Sequence, residues 1–195
     1  MSNRARLKQI IKAGFLILVI PLYLLYRVIR PLGGIDATFQ SFSQLISIIP
    51  GKIGIYVRAA FYRLACPNTS DEVSVGFLTI FSHHDTTISE GVYIGPQCNI
   101  GKCEIGQNTL IGSGVHILSG NKQHDFSDPD TPIKDQKGQY RKITIHEDCW
   151  IGNSSIIMND IESRAVIAAG SVVTKKVPAN SILAGNPAKP LKQTL

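Results

Sequence analysis

The most regular feature of the chain is a six-residue hydrophobic pattern that recurs between Ile88 and Val172. Each repeat begins with an aliphatic residue and has a small or β-branched residue four positions later. The eight starting residues are Ile88, Ile94, Ile105, Ile111, Ile145, Ile151, Ile161 and Ile167, and the eight later residues are Val92, Cys98, Thr109, Val115, Cys149, Ser155, Ala165 and Ser171. This period predicts one short strand and one turn per repeat, with successive coils stacked over a continuous apolar core. Shorter intervals at Ile100–Ile105 and Ile157–Ile161 are interpreted as adjustments at corners of the coil.

The first third of the chain has a different pattern, in which apolar residues are either continuous or spaced as on a helix. Residues 13–26 carry no charge and are flanked by one basic residue on each side. Beyond them, two amphipathic stretches on either side of the Pro50–Gly51 break predict two helices. Their apolar positions are Phe39, Phe42, Ile46 and Ile49 before the break, and Val57, Ala60, Phe61 and Leu64 after it.

The uncharged run at 13–26 is short for a membrane span, because about 20 residues are needed to cross the hydrocarbon. The flanking basic side chains can extend it, so a single span stays open beside a shallow re-entrant or monotopic insertion broken at Pro21. A cleaved signal peptide is disfavoured, since no small-x-small cleavage site follows the run. The two amphipathic stretches either cap the end of the coil or lie on lipid with the help of Arg58 and Arg63.

The formal net charge of +6 is concentrated towards the N-terminus, where four basic residues and no acidic one precede the uncharged run. No nucleic-acid-reading module accompanies this charge, so nucleic acid is not the expected partner. An anionic membrane surface fits basic residues that flank apolar sequence. We therefore predict a membrane-associated helical region at 1–66, with residues 1–65 on the membrane surface or in the bilayer, and a second domain at 67–195.

The four cysteines lack the paired spacing of metal sites. Two of them, Cys98 and Cys149, fall on small-residue positions of the repeat, and the others are Cys66 and Cys103. We interpret all four as reduced core thiols of a cytosolic protein.

The repeat is interrupted by the polar loop 118–142, between Ile117 and Ile143. Long loops in compact folds usually carry function. Its only histidine is His124, and imidazole is the side chain whose ordinary pKa lies near neutral pH. The loop is therefore the expected place for proton-transfer chemistry.

The chain resembles the hexapeptide-repeat acyltransferases in its repeat, in the loop that follows the phrase GVHI, and in the C-terminal sequence AVIAAGSVVTKKVPANSILAGNPAKPLK. The resemblance extends over Val73–Lys192. It implies a mainly β fold, a left-handed parallel β-helix with an N-terminal apolar and amphipathic helical region and a protruding catalytic loop. It also implies acetyl-CoA as the acyl donor and a homotrimer whose sites lie between subunits.

In that family the corresponding loop carries the catalytic histidine, which here corresponds to His124. Transfer from a thioester to an alcohol requires removal of the alcohol proton, so His124 is the expected general base. Its orienting partner is left open among three carboxylates: Asp125, Asp128 and Asp130. Two further histidines, His83 and His84, are candidates for the acceptor groove or for a capping role.

The resemblance also assigns the donor site to the last coils. The expected residues are Asn153, Ser154, Ala169 and Gly170 along the pantetheine, Thr174, Lys175 and Lys176 at the CoA phosphates, and Asn186, Pro187 and Lys189 beside the nucleotide. Trp150 is expected to shield the thioester channel or to pack at a coil edge. Cations at the phosphate end are electrostatically suitable.

We therefore expect an O-acetyltransferase that acts on a sugar hydroxyl in cell-surface polysaccharide or lipid-linked glycan synthesis, at the cytoplasmic face of the bacterial inner membrane. Two alternatives stay open: a soluble-type small-molecule acetyltransferase with a serine or xenobiotic acceptor, and a non-catalytic membrane-anchored scaffold. The γ-class carbonic anhydrases share the fold and use zinc, but their HxxxxH spacing does not occur here, so no metal is expected.

Overall fold

In the computed structural model, which describes residues 3–193, three helices precede a coil of short strands. The helices are α1 (Asn3–Gly33), α2 (Ile35–Ser47) and α3 (Gly51–Ala65). The two amphipathic stretches thus form α2 and α3, as predicted. The helix α1 continues through Pro21, so the break expected at this proline is absent.

The strands are short because each covers only one side of a coil. They are β1 (Ser74–Val75), β2 (Ile80–Phe81), β3 (Thr87–Ile88), β4 (Tyr93–Ile94), β5 (Asn99–Ile100), β6 (Cys103–Ile105), β7 (Leu110–Ile111), β8 (His116–Ile117), β9 (Ile143–Ile145), β10 (Trp150–Ile151), β11 (Ile156–Ile157), β12 (Val166–Ile167), β13 (Val172–Val173), β14 (Ser181–Ala184) and β15 (Lys189–Gln193). A 3₁₀ turn at Ile133–Asp135 lies in the long loop between β8 and β9.

The strands form three sheets, which we call faces A, B and C. Face A contains β1, β4, β7, β10, β12 and β14 in parallel, and β15 joins β14 antiparallel. Face B contains β2, β5, β8, β11 and β13, and face C contains β3, β6 and β9. Isolated parallel bridges extend face C to Ile161 and Val177. Each strand therefore pairs with the strand one coil further along the chain, which makes a three-sided parallel β-helix.

The predicted core positions all face inwards. The eight aliphatic and the eight small or β-branched residues of the repeat are at most 2% exposed. The coils approach closely at their corners, since a Cβ on Gly152 would lie 2.4 Å from the backbone nitrogen of Ala169 in the next coil. The two shortened intervals, Ile100–Ile105 and Ile157–Ile161, both fall at the turn from face B to face C, so they are corner adjustments as predicted.

The helices α2 and α3 close the first coil. The buried hydroxyl of Ser43 accepts the backbone N–H of Phe81 at 2.8 Å and lies 2.7 Å from the hydroxyl of Tyr62. The Tyr62 ring packs on the Phe81 ring, with 4.4 Å between their centroids. The capping role that the sequence left open is therefore present in the structure.

Two arginines expected to assist lipid binding bind backbone carbonyls instead. Arg58 is fully buried, and it donates from Nε to the Val75 carbonyl at 2.9 Å and from Nη1 to the Ile49 carbonyl at 2.8 Å. Burial lowers its pKa. Arg63 donates to the Thr69 carbonyl at 3.1 Å. The expectation that Arg58 faces lipid is wrong, because its guanidinium holds the helices on the first coil.

One face of α1 packs on α2 and α3 and buries Val19 and Tyr26. The rest of its surface is largely apolar and exposed. Among the described residues, α1 is the one helix long and apolar enough to cross a membrane, by length and composition alone. Its most apolar window has a mean hydropathy of 1.9 and is only 11% buried.

Replacing Ile157 by alanine should destabilise the protein more than replacing its neighbour Ile156, although both lie on β11. Ile157 is fully buried in the coil and Ile156 is partly exposed. Loss of a buried isoleucine leaves a cavity and costs about 2 to 5 kcal/mol of unfolding free energy. Guanidinium unfolding followed by circular dichroism measures both variants, and equal losses would contradict the inward alternation.

Candidate functional site

The loop 118–142 leaves the coil between β8 on face B and β9 on face C, at an edge that we call the BC corner. Its two arms are joined by backbone hydrogen bonds. The Arg141 N–H donates to the Ser119 carbonyl at 2.9 Å, and the Gln139 N–H donates to the Lys122 carbonyl at 2.7 Å. The loop is therefore a structured hairpin-like excursion at its base.

His124 lies beyond this base, and its side chain is exposed. It lines an open cavity of about 480 Å³ together with Asn121, Lys122, Asp125, Phe126, Lys137 and Gln139. Within residues 3–193, no group hydrogen-bonds its imidazole. The ring is therefore accessible to a ligand, but the single chain does not fix its orientation.

The three candidate orienting carboxylates do not contact the imidazole of His124. Asp125 accepts the two backbone N–H groups that follow it, at 2.8 and 3.1 Å. Asp128 accepts the Thr131 hydroxyl at 2.7 Å and the Asp130 N–H at 2.9 Å. These bonds hold the pKa of Asp125 and of Asp128 below the ordinary carboxyl value. They shape the tip of the loop and leave His124 without an acidic partner among residues 3–193.

His84 connects the first coil to the helices. Its Nδ1 lies 2.8 Å from Oδ1 of Asp36, which also accepts the His84 backbone N–H at 3.0 Å. On the other side of the ring, Nη2 of Arg30 lies 3.4 Å from Nε2. Burial tends to raise the pKa of Asp36, but the hydrogen bonds from His84 outweigh it and leave that pKa lowered. Both ring nitrogens of His84 are thus engaged in joining α1 and α2 to the coil.

His83 lies beside the loop. Its Nδ1 is 2.9 Å from the Ser82 hydroxyl, and its ring centroid is 5.4 Å from that of Tyr140 in the returning arm. Burial lowers the pKa of His83, which favours the neutral imidazole. Of the two acceptor-groove candidates, His83 is therefore the one that the structure brings next to the loop.

Ion pairs fasten the returning arm to Asp85 in the first coil and to Asp160 in the fourth. Lys142 Nζ lies 2.9 Å from one oxygen of Asp85, and Lys102 Nζ lies 3.1 Å from the other. Arg141 Nη1 lies 2.8 Å from Asp160 Oδ1. Sequence reasoning missed this network, although the adjacent basic residues at the end of a polar loop were a signal. The network fixes where the loop leaves the coil.

Six of the expected donor-site residues lie along the edge between faces A and B, the AB corner: Asn153, Ser154, Ala169, Gly170, Asn186 and Pro187. The Asn153 side chain accepts the Ser113 N–H at 3.0 Å, and its carbonyl accepts the Gly170 N–H at 2.8 Å. Ser154 adopts a φ of +57°, which turns the backbone sharply there. These exposed turns form a continuous edge over the last coils.

The cationic part of the expected donor site lies elsewhere. Thr174, Lys175 and Lys176 are at the BC corner, on the edge that carries the loop. Lys176 Nζ lies 2.6 Å from Glu162 Oε1, and this hydrogen bond raises the pKa of Lys176. Lys175 is exposed and has no partner within the described residues, and Lys189 is exposed on β15. A single chain therefore divides the expected donor residues between two corners.

Trp150 lies on the outer surface of face A and is 56% exposed. It pairs in register with Leu110, which pairs in turn with Tyr93, and both of these side chains are 45% exposed. Trp150 thus belongs to an open apolar row across three strands. A row of this kind is typical of a surface that a ligand or another chain covers.

The cysteines are free and buried. Burial raises the pKa of Cys103 to about 12 and that of Cys149 to about 11, and it also raises the pKa of Cys66 and Cys98. None of them presents a thiolate at neutral pH. Within residues 3–193, no group of three or more His, Cys, Asp or Glu residues is arranged to hold a metal ion.

Residues 85–119 match the family model of the bacterial transferase hexapeptide (six repeats). A Schizosaccharomyces pombe protein assigned as an acetyltransferase is 32% identical over 91 residues, which are 46% of this chain and 42% of that protein. The 2,3,4,5-tetrahydropyridine-2,6-dicarboxylate N-acetyltransferase of Staphylococcus aureus is 31% identical over 90 residues, which are 45% of this chain and 32% of the relative. The matches thus span less than half the length of these curated relatives.

Two solved structures have a similar fold. A maltose O-acetyltransferase from Clostridium difficile 630 has a TM-score of 0.70 and 21% identity, with 80% of this chain and 87% of that chain covered. A hexapeptide-repeat acetyltransferase from Vibrio cholerae, complexed with acetyl-CoA, has a TM-score of 0.52 and 19% identity, with 81% and 86% covered. This likeness implies the left-handed sense of the β-helix. The chain is therefore a hexapeptide-repeat protein with the fold of the hexapeptide-repeat acetyltransferases.

Proposed function

We propose that the protein is an acyl-CoA-dependent O-acetyltransferase that moves an acetyl group from acetyl-CoA to a sugar hydroxyl in cell-surface polysaccharide or lipid-linked glycan synthesis. The observation that carries the proposal is the exposed, unpartnered imidazole of His124 in the long loop that interrupts the repeat. The hexapeptide-repeat fold and the acetyl-CoA complex of a similarly folded acetyltransferase support the donor.

The chemistry is a direct transfer. The acceptor oxygen attacks the thioester carbonyl while His124 takes the hydroxyl proton, and collapse of the tetrahedral intermediate breaks the C–S bond and releases CoA. The leaving thiolate takes up a proton. When the imidazolium of His124 donates this proton, the neutral imidazole is restored. No covalent acyl-cysteine is needed, and the raised pKa of each buried cysteine argues against one.

A homotrimer would complete the site. The loop with His124 leaves from the BC corner, whereas Asn153, Ser154 and Gly170 lie at the AB corner of the same chain. A cyclic assembly would set the loop of one chain against the AB corner of the next. The open apolar row around Trp150 offers surface for such a contact, or for the thioester arm of the donor. The neighbour or the acceptor would then orient His124, which has no carboxylate partner in the part of its own chain that the structure describes.

The donor would lie along the last coils. We infer that the AB-corner turns of Asn153, Ser154, Ala169 and Gly170 line the pantetheine, with Asn186, Pro187 and Lys189 beside the nucleotide. Thr174, Lys175 and Lys176 would approach the CoA phosphates from another edge. The ammonium of Lys175 is free for this purpose, while that of Lys176 is held by Glu162. The acceptor would enter beside His83, with His84 shaping the groove from behind.

The site is assigned to a catalytic domain at 67–195 with a protruding loop 118–142, beside a membrane-associated region at 1–66. Acetyl-CoA is made in the cytosol, so we infer the cytoplasmic face of the bacterial inner membrane. The exposed apolar surface of α1 supports membrane association.

A second candidate is acetylation of a small-molecule amine, since one relative is an N-acetyltransferase. The same base, His124, would remove a proton from an ammonium acceptor, and the neutral amine would then attack the thioester. Acetyl-CoA turnover with isolated membrane glycans and with soluble amines separates the two, and turnover with amines alone would overturn the glycan assignment.

Replacing His124 by alanine should lower the rate of acetyl transfer by about 10²- to 10⁴-fold, because the general base is lost. Release of CoA with a membrane glycan fraction as acceptor measures the rate, and calorimetry measures CoA binding. Binding and oligomeric state should not change, since His124 is an exposed loop residue. His146→Ala is the matched control, because this histidine is partly exposed and lies at another corner, between β9 and β10. Near-normal turnover of the His124→Ala enzyme would remove the residue from its proposed role.

Replacing Lys175 by alanine should raise the KM for acetyl-CoA with little change in kcat. A free ammonium at the CoA phosphates contributes about 1.5 to 3 kcal/mol to binding, and it favours ground state and transition state alike. Lys176→Ala should have a smaller effect, because that ammonium is already paired with Glu162.

The control for this prediction is acetyl-pantetheine, which lacks the nucleotide phosphates. Wild type and Lys175→Ala should use this truncated donor equally poorly. If the variant also loses activity towards acetyl-pantetheine, Lys175 supports structure or the acceptor, and the placement of the phosphates is incorrect.

A further inference from the structure

Both ends of α1 are fastened to the first coil. Near its start, Lys12 Nζ lies 2.5 Å from Glu72 Oε1, and Lys8 pairs with the same carboxylate. Near its end, Arg30 contacts the imidazole of His84. Glu72 lies two residues before β1 and His84 lies between β2 and β3, so both belong to the first turn of the coil.

The middle of α1 is also held against the protein. The Phe15 ring stacks on Tyr56 of α3, with 5.1 Å between centroids. The ring of Tyr26 lies 5.6 Å from Phe42 and 5.8 Å from Phe61. Contacts thus run along the helix from its start to its end, and α1 lies across the capped end of the coil.

This arrangement does not fit a membrane span. The segment from Lys8 to Arg30 is about 33 Å long at 1.5 Å per residue. A span would place one of these residues at each surface of hydrocarbon that is about 30 Å thick. Their partners Glu72 and His84 belong to the same turn of the coil, so a spanning α1 would hold the polar turn between these two residues against the hydrocarbon, where polar and charged groups are costly.

The side of α1 away from the protein is an apolar stripe. Its members are each more than half exposed and recur at helical spacing, opposite the buried Val19 and Tyr26. This outer stripe consists of Leu7, Ile10, Ile17, Leu18, Leu24, Leu25, Val28 and Leu32. We propose that α1 lies in the plane of an anionic membrane surface with the outer stripe embedded in lipid, as a monotopic anchor that does not cross the bilayer. The proposal rests on the proposed membrane association of the protein.

The charge of the helical layer favours anionic lipid as the occupant. Residues 3–65 contain nine lysines and arginines and a single carboxylate, Asp36. Among the basic residues, Arg4, Arg6, Arg27 and Lys52 are exposed. Each basic side chain near an anionic surface adds about 1 kcal/mol to binding. A second copy would bring the same positive layer to the contact, and like charges would oppose that pairing.

Cysteine labelling in membranes tests the orientation. Single cysteines are placed in the full chain at Asn3, where α1 begins, at Ala37, in the first turn of α2 just after α1 ends, and at Ser127 in the catalytic loop. The native cysteines are buried and give little background. A membrane-impermeant maleimide is applied to spheroplasts and to inverted vesicles. An in-plane helix predicts that all three sites react from the same side. Labelling of Asn3→Cys from the side opposite to Ser127→Cys would show a span and overturn the proposal.

The same experiment separates this inference from the proposed function. If all three cysteines react from the cytoplasmic side, the result supports both the in-plane orientation of α1 and the use of a cytosolic acyl donor. If all three react from the outer side only, the in-plane orientation stands and the cytosolic donor fails.

Lipid binding of the outer stripe is tested by flotation of the purified full chain with vesicles of phosphatidylcholine and phosphatidylglycerol. Leu24→Glu should reduce the bound fraction relative to free protein about 10-fold or more, because the charge replaces a buried apolar side chain. Ile133→Glu, at an exposed apolar residue of the loop, is the matched control and should bind as the wild type does. Omission of phosphatidylglycerol should weaken wild-type binding.

The opposing outcomes are distinct. If Leu24→Glu binds vesicles normally, the outer stripe is not the lipid contact. If the variant instead has a smaller oligomeric mass than the wild type and unchanged lipid binding, a second copy covers the stripe. Either result would overturn the proposal.

Discussion

The rest of the structure depends on how the first turn of the coil is closed. The buried guanidinium of Arg58 links the helices to this turn by hydrogen bonds. A terminal coil exposes unpaired strand edges and apolar surface. Arg58 binds the Val75 carbonyl on face A and the carbonyls of Ile46 and Ile49 at the end of α2. A buried charge is costly unless its donors find acceptors, and here Nε and Nη1 of Arg58 find them, whereas Nη2 has no hydrogen-bond partner within residues 3–193. A Cβ at Gly54 would lie 1.9 Å from the Ile49 carbonyl oxygen and 2.7 Å from Arg58 Nη1, so only a glycine leaves room for this hydrogen bond between α3 and the end of α2.

Face B is closed by α2 in the same way. The Ser43 hydroxyl accepts the N–H of Phe81, and the Ser47 carbonyl accepts the N–H of Leu78 at 2.9 Å. The helices therefore satisfy backbone groups that the first coil would otherwise leave unpaired. As a result, the helical region and the coil share one hydrophobic core.

The sequence predicts the regular part of this structure well, because the spacing of apolar and small residues within each repeat determines which side chains are buried. The aliphatic and small positions, the shortened corners and the helices α2 and α3 all follow from spacing. Long-range contacts escape this reasoning. The burial of Arg58 and the pairing of His84 with Asp36, 48 residues away, depend on how the helices fold back on the coil. Helical spacing also cannot distinguish a helix through Pro21 from one broken there, since tertiary contacts on both sides of the proline hold α1 together.

The sequence predicts which residues belong to the candidate site, but it does not predict how they are brought together. Spacing and resemblance indicate His124 and the donor residues, and the structure separates them between the BC and AB corners of one chain. The carboxylates that follow His124 in sequence accept hydrogen bonds from backbone N–H groups of the loop. The sequence pattern alone does not reveal these bonds. The orientation of His124, the proposed general base, thus depends on groups outside the described residues of the single chain.

These constraints together limit the assembly. A contact between the AB corner of one chain and the loop of another joins two different surfaces, so it is heterologous and closes only as a ring or continues as a filament. Embedding the outer stripe of every chain in one bilayer adds a second condition, because all the capped ends must face the same side. A two-fold axis perpendicular to the coil would point two stripes in opposite directions. A ring about an axis parallel to the coil meets both conditions. In such a ring each loop leaves the third coil, about 10 Å from the first coil along the axis, at about 4.8 Å per coil. The proposed membrane anchor and the proposed shared site therefore favour the same cyclic symmetry for independent physical reasons.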